Sequence, residues 1–376
     1  PHDKGNYLNN VESTVKRIRN HPSLAYYVAS NESTEVTGTP ELLKCLDGTR
    51  GYQMQSECAG VHDGSPYKQV NPMQHYDDSA SPRGSRVYGF NPEYGAPTLP
   101  TVEILREMMD SKDLWPVNKE VWDYQDGNGF HLMTTLYTDL VNQYGNSDSI
   151  EEFAEKGQLV GAVNSKSIWE VWNYNKLDYG DRFCSGLLFW YHNCPVRQVS
   201  ARMWDWTLEP TASLYHTANS LEPLHAQFDY IKNTVSVVND YYQSFDNYKV
   251  IAQVYDIDSR KVWEESARID LLSDGVSNDV LTIRFPEDIS QVHFIKLILK
   301  DEKGKEVSSN FYWRSKDKYE GKTTLTGPAT SGFEELSKLK AAKIKLTYKI
   351  RVHEGRYYVD VTMKLSLIHI SEPTRH

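Results

Sequence analysis

Two glutamates stand where apolar, aromatic runs stop. Glu32 closes the run in LAYYVASNEST, residues 24–34, and Glu93 closes SRVYGFNPE, residues 85–93. Carboxylates at the carboxyl ends of strand-like runs point to chemistry, because a parallel α/β barrel opens all such ends onto one face. Two carboxylates across a sugar are what hydrolysis of a glycosidic bond requires. One, protonated, releases the leaving group; the other, ionised, attacks the anomeric carbon or activates a water. Held close, each burdens the other's ionisation, so one pKa rises and one stays low. The pair is 61 residues apart, room for intervening βα units. Taken alone, it also fits two solvated loop acids in a chain with 51 Asp and Glu.

The composition narrows the partners. The 376 residues suffice for two or three domains with real cores. A net charge of −10 argues against nucleic acid or an anionic membrane as a partner held by bulk charge. The chain holds 25 Tyr, 9 Trp and 11 Phe, 12% aromatic. Aromatic faces suit the apolar C–H faces of sugar rings, and tyrosine-rich β-sheets use them without any ligand. No apolar run approaches the roughly 20 residues of a membrane span. Cys45, Cys58, Cys184 and Cys194 form no Cys-x-x-Cys pair, so no zinc site is expected, and no metal or cofactor is called for. Their disulfide state stays open.

The elements that must position the glutamates follow in order. Residues 12–30 read as a helix and then a buried strand; TPELLKCLDGTR is a short helix and GYQMQS a short strand. Residues 57–85, rich in Gly, Ser, Pro, His and Asp, form a long loop of the kind that carries function. TLPTVEILREMM and residues 148–172 read as helices. SGLLFWYHN is a continuous apolar strand covered on both sides, and PTASLYHTANSL a helix after it. Strands alternating with helices predict parallel βα units. From Glu222 the texture changes to short strands: TVSVVND, YKVIAQVYDID, DVLTIRF, VHFIKLILK and NFYWRS. That spacing predicts an immunoglobulin-like β-sandwich. Later, IKLTYKIRV and YYVDVTMK each put apolar residues on one face, with a hairpin turn at His353–Arg356.

Both ends read as cut. The chain opens at Pro1, which leaves export unaddressed. After Lys364 the alternation breaks into LSLIHISEPTRH, which resembles the conceptual translation of a sequencing-library adapter, so 365–376 is expected to be a non-native or disordered tail.

The motifs carry a resemblance. RNHPSLAYYVASNEST resembles the acid/base motif of glycoside hydrolase family 2, where Arg-Asn-His-Pro-Ser precedes a strand ending in Asn-Glu. GFNPEYGAPTLPTVEILREMM resembles its nucleophile motif, closest to the branch of plant-type endo-β-mannosidases and exo-β-D-glucosaminidases. SGLLFWYHNCP looks like that branch's last barrel strand, and the likeness runs on to NFYWRS. It implies the C-terminal half of a (β/α)8 TIM barrel over 1–221, an immunoglobulin-like β-sandwich over 222–316, and the start of a second β-sandwich over 317–364. It implies a retaining hydrolase with Glu32 as acid/base and Glu93 as nucleophile, their carboxyls about 5 Å apart. The substrate would be an oligo- or polysaccharide or glycan; the compartment stays open, with extracytoplasmic or secreted ranked above cytoplasmic.

The same resemblance assigns further residues. Asn31 would bond the group at carbon 2 of the sugar, or cap a turn. Trp190 would stack on the ring or floor the pocket, with Asn193 beside it past the strand end. Trp172 would wall the pocket or fill a helix core, and Asp77 and Asp78 would read hydroxyls from the long loop or solvate it. Asn31-Glu32 departs from the Gly-Ser-Asp step of some exo-β-D-glucosaminidases, which favours a neutral hydroxyl at carbon 2. A β-mannosidase-like enzyme therefore ranks above an exo-β-D-glucosaminidase. A non-catalytic carbohydrate-binding protein is the reading from another class. Half a barrel leaves open parallel edges, so these residues expressed alone are expected to be inactive.

Overall fold

The structure is a computed structural model describing residues 3–56, 71–76, 89–176, 184–317, 332–339 and 343–366. Helix α1 (Lys4–Ile18) starts earlier than its apolar pattern. The cause is Asp3, whose side chain accepts the Asn6 N–H at 2.9 Å and caps the first turn. Strand β1 (Tyr26–Val28), helix α2 (Thr39–Leu46) and strand β2 (Gly51–Gln53) follow, with β1 and β2 parallel in the register Tyr26↔Gly51.

A second parallel pair joins β3 (Gly89–Tyr94) to β4 (Cys184–Phe189). Between them run α3 (Val102–Met108), α4 (Ser111–Leu114), α5 (Lys119–Gln125), α6 (Thr138–Asn142) and the long α7 (Ile150–Tyr174). Ser149 caps α7 by accepting the Glu152 N–H, and Glu151 and Glu152 complement the dipole of its first turn. The predicted alternation of strand and helix is therefore present, with parallel pairing in both places.

Two glycines decide how closely α7 packs. A Cβ on Gly157 would meet Leu99 Cδ2 at 2.7 Å, and one on Gly161 would meet Thr98 Cγ2 at 2.4 Å. Their bare backbone lets the segment after β3 lie directly on the helix. Thr98 is pinned from the other side, its N–H donating to the Ala201 carbonyl at 2.8 Å and its hydroxyl bonding Ser213. The chain leaving Glu93 is thus clamped within a few residues.

After α8 (Ala212–Ser220) come β5 (Leu224–Phe228), β6 (Thr234–Asn239), β7 (Phe245–Tyr255), β8 (Lys261–Leu271), β9 (Gly275–Thr282), β10 (Val292–Lys300) and β11 (Glu306–Ser315). They form two antiparallel sheets, ordered β5-β6-β9 and β11-β10-β7-β8. Phe228, Val235, Val237 and Leu281 from the first sheet meet Val250, Val254, Ile295 and Leu297 from the second in one buried core. This is the expected sandwich. Strands β6 and most of β5 are buried on both faces because α7 lies across their outer side; the Gln227 side chain donates to the Glu170 carbonyl at 2.6 Å.

Helix α9 (Glu334–Ser337) precedes a hairpin of β12 (Lys343–His353) and β13 (Arg356–Ser366). Glu354 and Gly355 both take positive φ, 49° and 73°, as a two-residue hairpin turn requires. Leu346 faces Met363, Tyr348 faces Val361 and Ile350 faces Val359, so the two predicted apolar faces coincide.

Candidate active site

Glu32 is held by its neighbour strand. The β1–β2 ladder continues past the strands: the Ala29 N–H donates to the Gln53 carbonyl at 3.1 Å, and the Ser56 N–H to the Ser30 carbonyl at 3.0 Å. Ser56 then accepts the Glu32 backbone N–H on its hydroxyl at 2.9 Å. Glu32 adopts φ 47°, a left-handed conformation that a non-glycine residue reaches at a cost of about 1–3 kcal/mol. Asn31 and Glu32 are both exposed.

Glu93 sits at an irregularity of its ladder. Pro92 has no N–H to give the ladder, and the β3–β4 register slips between Asn91 and Tyr94. Such a bulge re-aims the side chain it carries. Asn91 is 3% exposed, and its side-chain oxygen accepts the Glu93 N–H at 2.9 Å, fixing the bulge.

The two pairs meet through aromatic rings. Tyr26 of β1 lies over Gly51 of β2, where a Cβ would come within 2.3 Å of the ring. Phe90 of β3 lies over Gly186 of β4, where a Cβ would come within 2.7 Å. The Tyr26 and Phe90 rings then touch, centroids 6.0 Å apart. Each glutamate sits at the carboxyl end of one of these joined pairs.

Trp190 follows β4 directly, and its N–H donates to the Tyr94 carbonyl, which ties it to the residue after Glu93. It is 37% exposed. Beneath it lies Arg202, fully buried, with its guanidinium 4.9 Å from the Tyr191 ring centre and 5.6 Å from that of Trp190. Arg202 donates to the Ser200 carbonyl at 2.8 Å and to His131 Nε2 at 2.6 Å. A guanidinium cannot accept, so His131 Nε2 carries the lone pair and Nδ1–H donates to Asp126 at 2.7 Å. Asp126, His131 and Arg202 thus form a buried prop under the Trp190–Tyr191 step. Burial pushes the Tyr191 phenol up to about 12, against the pull of Arg202. It also raises the Cys194 thiol above its ordinary value, again opposed by Arg202.

The remaining expected residues divide. Asn193 is exposed on the same loop as Trp190 and forms an isolated bridge with Trp204. Trp172 is 7% exposed and packs with Tyr94, Ile168 and Cys184, so of its two readings the structure takes the helix core and not the pocket wall. Asp77 and Asp78 lie outside the described residues, as does Cys58. Ser56, Asn91, Arg202, His131 and Asp126 are supporting residues that sequence reading missed. Only Asn91-Pro92 carries a local signal, that of a turn. Among the described residues, no three His, Cys, Asp or Glu side chains gather as a metal site would need.

Residues 232–319 match the Mannosidase Ig/CBM-like domain. An exo-β-D-glucosaminidase of Amycolatopsis orientalis is 24% identical over 81% of this chain and 31% of its own length. A mannosylglycoprotein endo-β-mannosidase of Lilium longiflorum is 22% identical over 97% of this chain and 42% of its own. Among solved structures, the A. orientalis exo-chitosanase superposes with a TM-score of 0.83 at 21% identity, over 96% of this chain and 45% of that one. A β-D-mannosidase from Dictyoglomus thermophilum gives 0.69 at 18% identity, over the same shares of 96% and 45%. The structural likeness speaks for the fold. The chain spans less than half the length of these relatives.

Proposed function

We propose that this chain, whose homologues are exo-β-D-glucosaminidases and β-mannosidases of glycoside hydrolase family 2, is the carboxyl-terminal part of a retaining β-glycosidase. Its two parallel strand pairs belong to a (β/α)8 barrel, over residues 1–221. The sandwich spans 222–316, and a further β-domain begins at 317. The observation that carries the reading is the placement of Glu32 and Glu93 at the ends of two strand pairs joined by the Tyr26–Phe90 contact, with Trp190 tied beside Glu93.

In this mechanism Glu93, ionised, attacks the anomeric carbon while Glu32, protonated, gives its proton to the departing oxygen. Glu32 then takes a proton from water, which displaces Glu93 and restores the starting states. Retention needs the two carboxyls about 5 Å apart. Asn31 bonds the substituent at carbon 2 and Trp190 offers its exposed face to the ring. The proposed substrate is a β-mannoside or related β-glycan, since the Asn31-Glu32 step favours a neutral hydroxyl at carbon 2 and the lily enzyme aligns with 97% of the chain. Exo-β-D-glucosaminidase activity is the second reading, favoured by the several relatives that bear that name.

Glu32→Gln in the full-length protein tests the acid/base. With a 2,4-dinitrophenyl β-mannoside, whose leaving group needs no proton, glycosylation is expected to proceed while deglycosylation slows by about 10²–10⁴-fold. Azide, which needs no base, is expected to restore turnover and yield a β-glycosyl azide. Uniform loss without azide rescue would remove Glu32 from that role. The ratio of kcat/KM on aryl β-mannoside to that on aryl β-glucosaminide decides between the two substrates.

A further inference from the structure

A concavity lies between α7 and α8 on one side and β10 and β11 on the other, and none of Glu32, Glu93 and Trp190 lines it. Its volume, 370 Å³, falls within the roughly 300–1,000 Å³ of small-ligand sites. Two aromatic rings border it with open faces: Phe311 is 47% exposed and Tyr215 62%. Phe311 is backed by Phe294, stacked with centroids 5.5 Å apart, so its ring is fixed while its outer face stays open. Large exposed aromatics over a built concavity are the arrangement that receives the apolar face of a sugar ring.

The polar lining adds a charge preference. Two ammonium groups, Lys166 of α7 and Lys296 of β10, line the pocket, and no carboxylate does. Lys166 is 3% exposed and donates to two neutral acceptors, the Asn310 side-chain oxygen and the Phe311 carbonyl, the latter at 3.0 Å. Neither lysine has an ion-pair partner among the described residues. Burial pushes the Lys166 amine down to about 8, with Glu170 and Glu222 opposing only in part. Lys166 also lies over the Tyr312 ring, 4.0 Å from its centre, and a buried ammonium whose direct contacts are all neutral favours an arriving anion. Asn219 sits on the rim, its amide donating to the Ser309 carbonyl at 3.3 Å, and adds polar groups for hydroxyls.

We infer that this pocket binds an acidic pyranose unit, its ring face against Phe311 and Tyr215 and its anionic group at Lys166 and Lys296. A 2-amino sugar, cationic at neutral pH, is disfavoured there. The site uses neither Glu32 nor Glu93 and stands apart from the catalytic reading.

Calorimetric titration of the full-length protein with methyl β-D-glucuronide tests it. Saturable binding is expected, weakened at least about tenfold by Lys296→Ala and by Phe311→Ala, both at accessible positions. Trp190→Ala is expected to leave it unchanged, which separates this pocket from the catalytic cleft. Methyl β-D-glucoside is expected to bind at least about tenfold more weakly. Equal binding of the glucoside, or indifference to Lys296→Ala, would overturn the charge assignment. Inorganic sulfate binding as tightly as the glucuronide, with no effect of Phe311→Ala, would overturn the sugar assignment. Absence of saturable glucuronide binding in a protein that still hydrolyses aryl glycosides would overturn the pocket and leave the catalytic reading intact.

Discussion

Changing Glu93 to Gln in the full-length protein is expected to lower kcat/KM on an aryl β-mannoside by at least about 10³-fold. The amide oxygen is a poor nucleophile, so no glycosyl-enzyme forms and the two-step route closes. Folding is expected to survive. The bulge that aims residue 93 is fixed by its backbone N–H bonding Asn91, a bond the side chain does not enter. Steady-state kinetics beside urea unfolding checks both halves. A variant that keeps most of its activity would move the nucleophile elsewhere or leave the carbohydrate-binding reading standing.

The second large effect concerns the seam between the helices and the sandwich. Glu170 of α7 is fully buried, and its Oε1 accepts from His225 of β5 at 3.1 Å, and from the Asn310 amide and the Tyr312 hydroxyl of β11 at 2.9 Å each. Burial opposes its charge, but Lys166, His225 and Asn310 outweigh that and hold the carboxyl below its usual range. Burial also opposes the His225 imidazolium, and the bonds to Glu170 and Glu222 overcome it, so the pKa of His225 is raised. Glu170→Ala leaves His225, the Asn310 amide and the Tyr312 hydroxyl without their shared buried acceptor and is expected to cost about 3–5 kcal/mol. A lowered urea midpoint at unchanged slope measures it.

The pH dependence has a definite sign. Stability from a carboxyl with a depressed pKa is present above the ordinary glutamate value, about 4.3, and is lost as pH falls through the folded value. Stability from the raised His225 is complete below the ordinary histidine value and is lost as pH rises through its folded value. The parent should therefore show an acid-side loss that Glu170→Ala lacks. An unchanged midpoint, or an identical acid limb, would contradict this role of Glu170 at the seam.

The places of Glu32, Glu93 and Trp190 at the ends of strands, and the strand–helix order, were legible because each rests on local pattern: an apolar run, its end, and the residue there. The hairpin turn at Glu354-Gly355 was legible for the same reason. Strand β8 was not, because KVWEESARIDL is a charged edge strand whose outward residues hide its alternation. Strand β5 was missed because His225 and Gln227, which look solvent-facing in sequence, point to Glu170. Trp172 was ambiguous because α7 is buried on several sides, so its periodicity names no single inner face. The Asp126–His131–Arg202 prop joins residues 71 positions apart, and nothing local announces it.

The most direct measurement is inactivation of the full-length protein by 2,4-dinitrophenyl 2-deoxy-2-fluoro-β-D-mannopyranoside, followed by peptide mapping. The fluorine slows both steps, and the activated leaving group lets the first outrun the second, so the intermediate accumulates. One glycosyl adduct per chain is expected, on Glu93. An adduct on a different carboxylate, or a fully active and unlabelled protein, would contradict it.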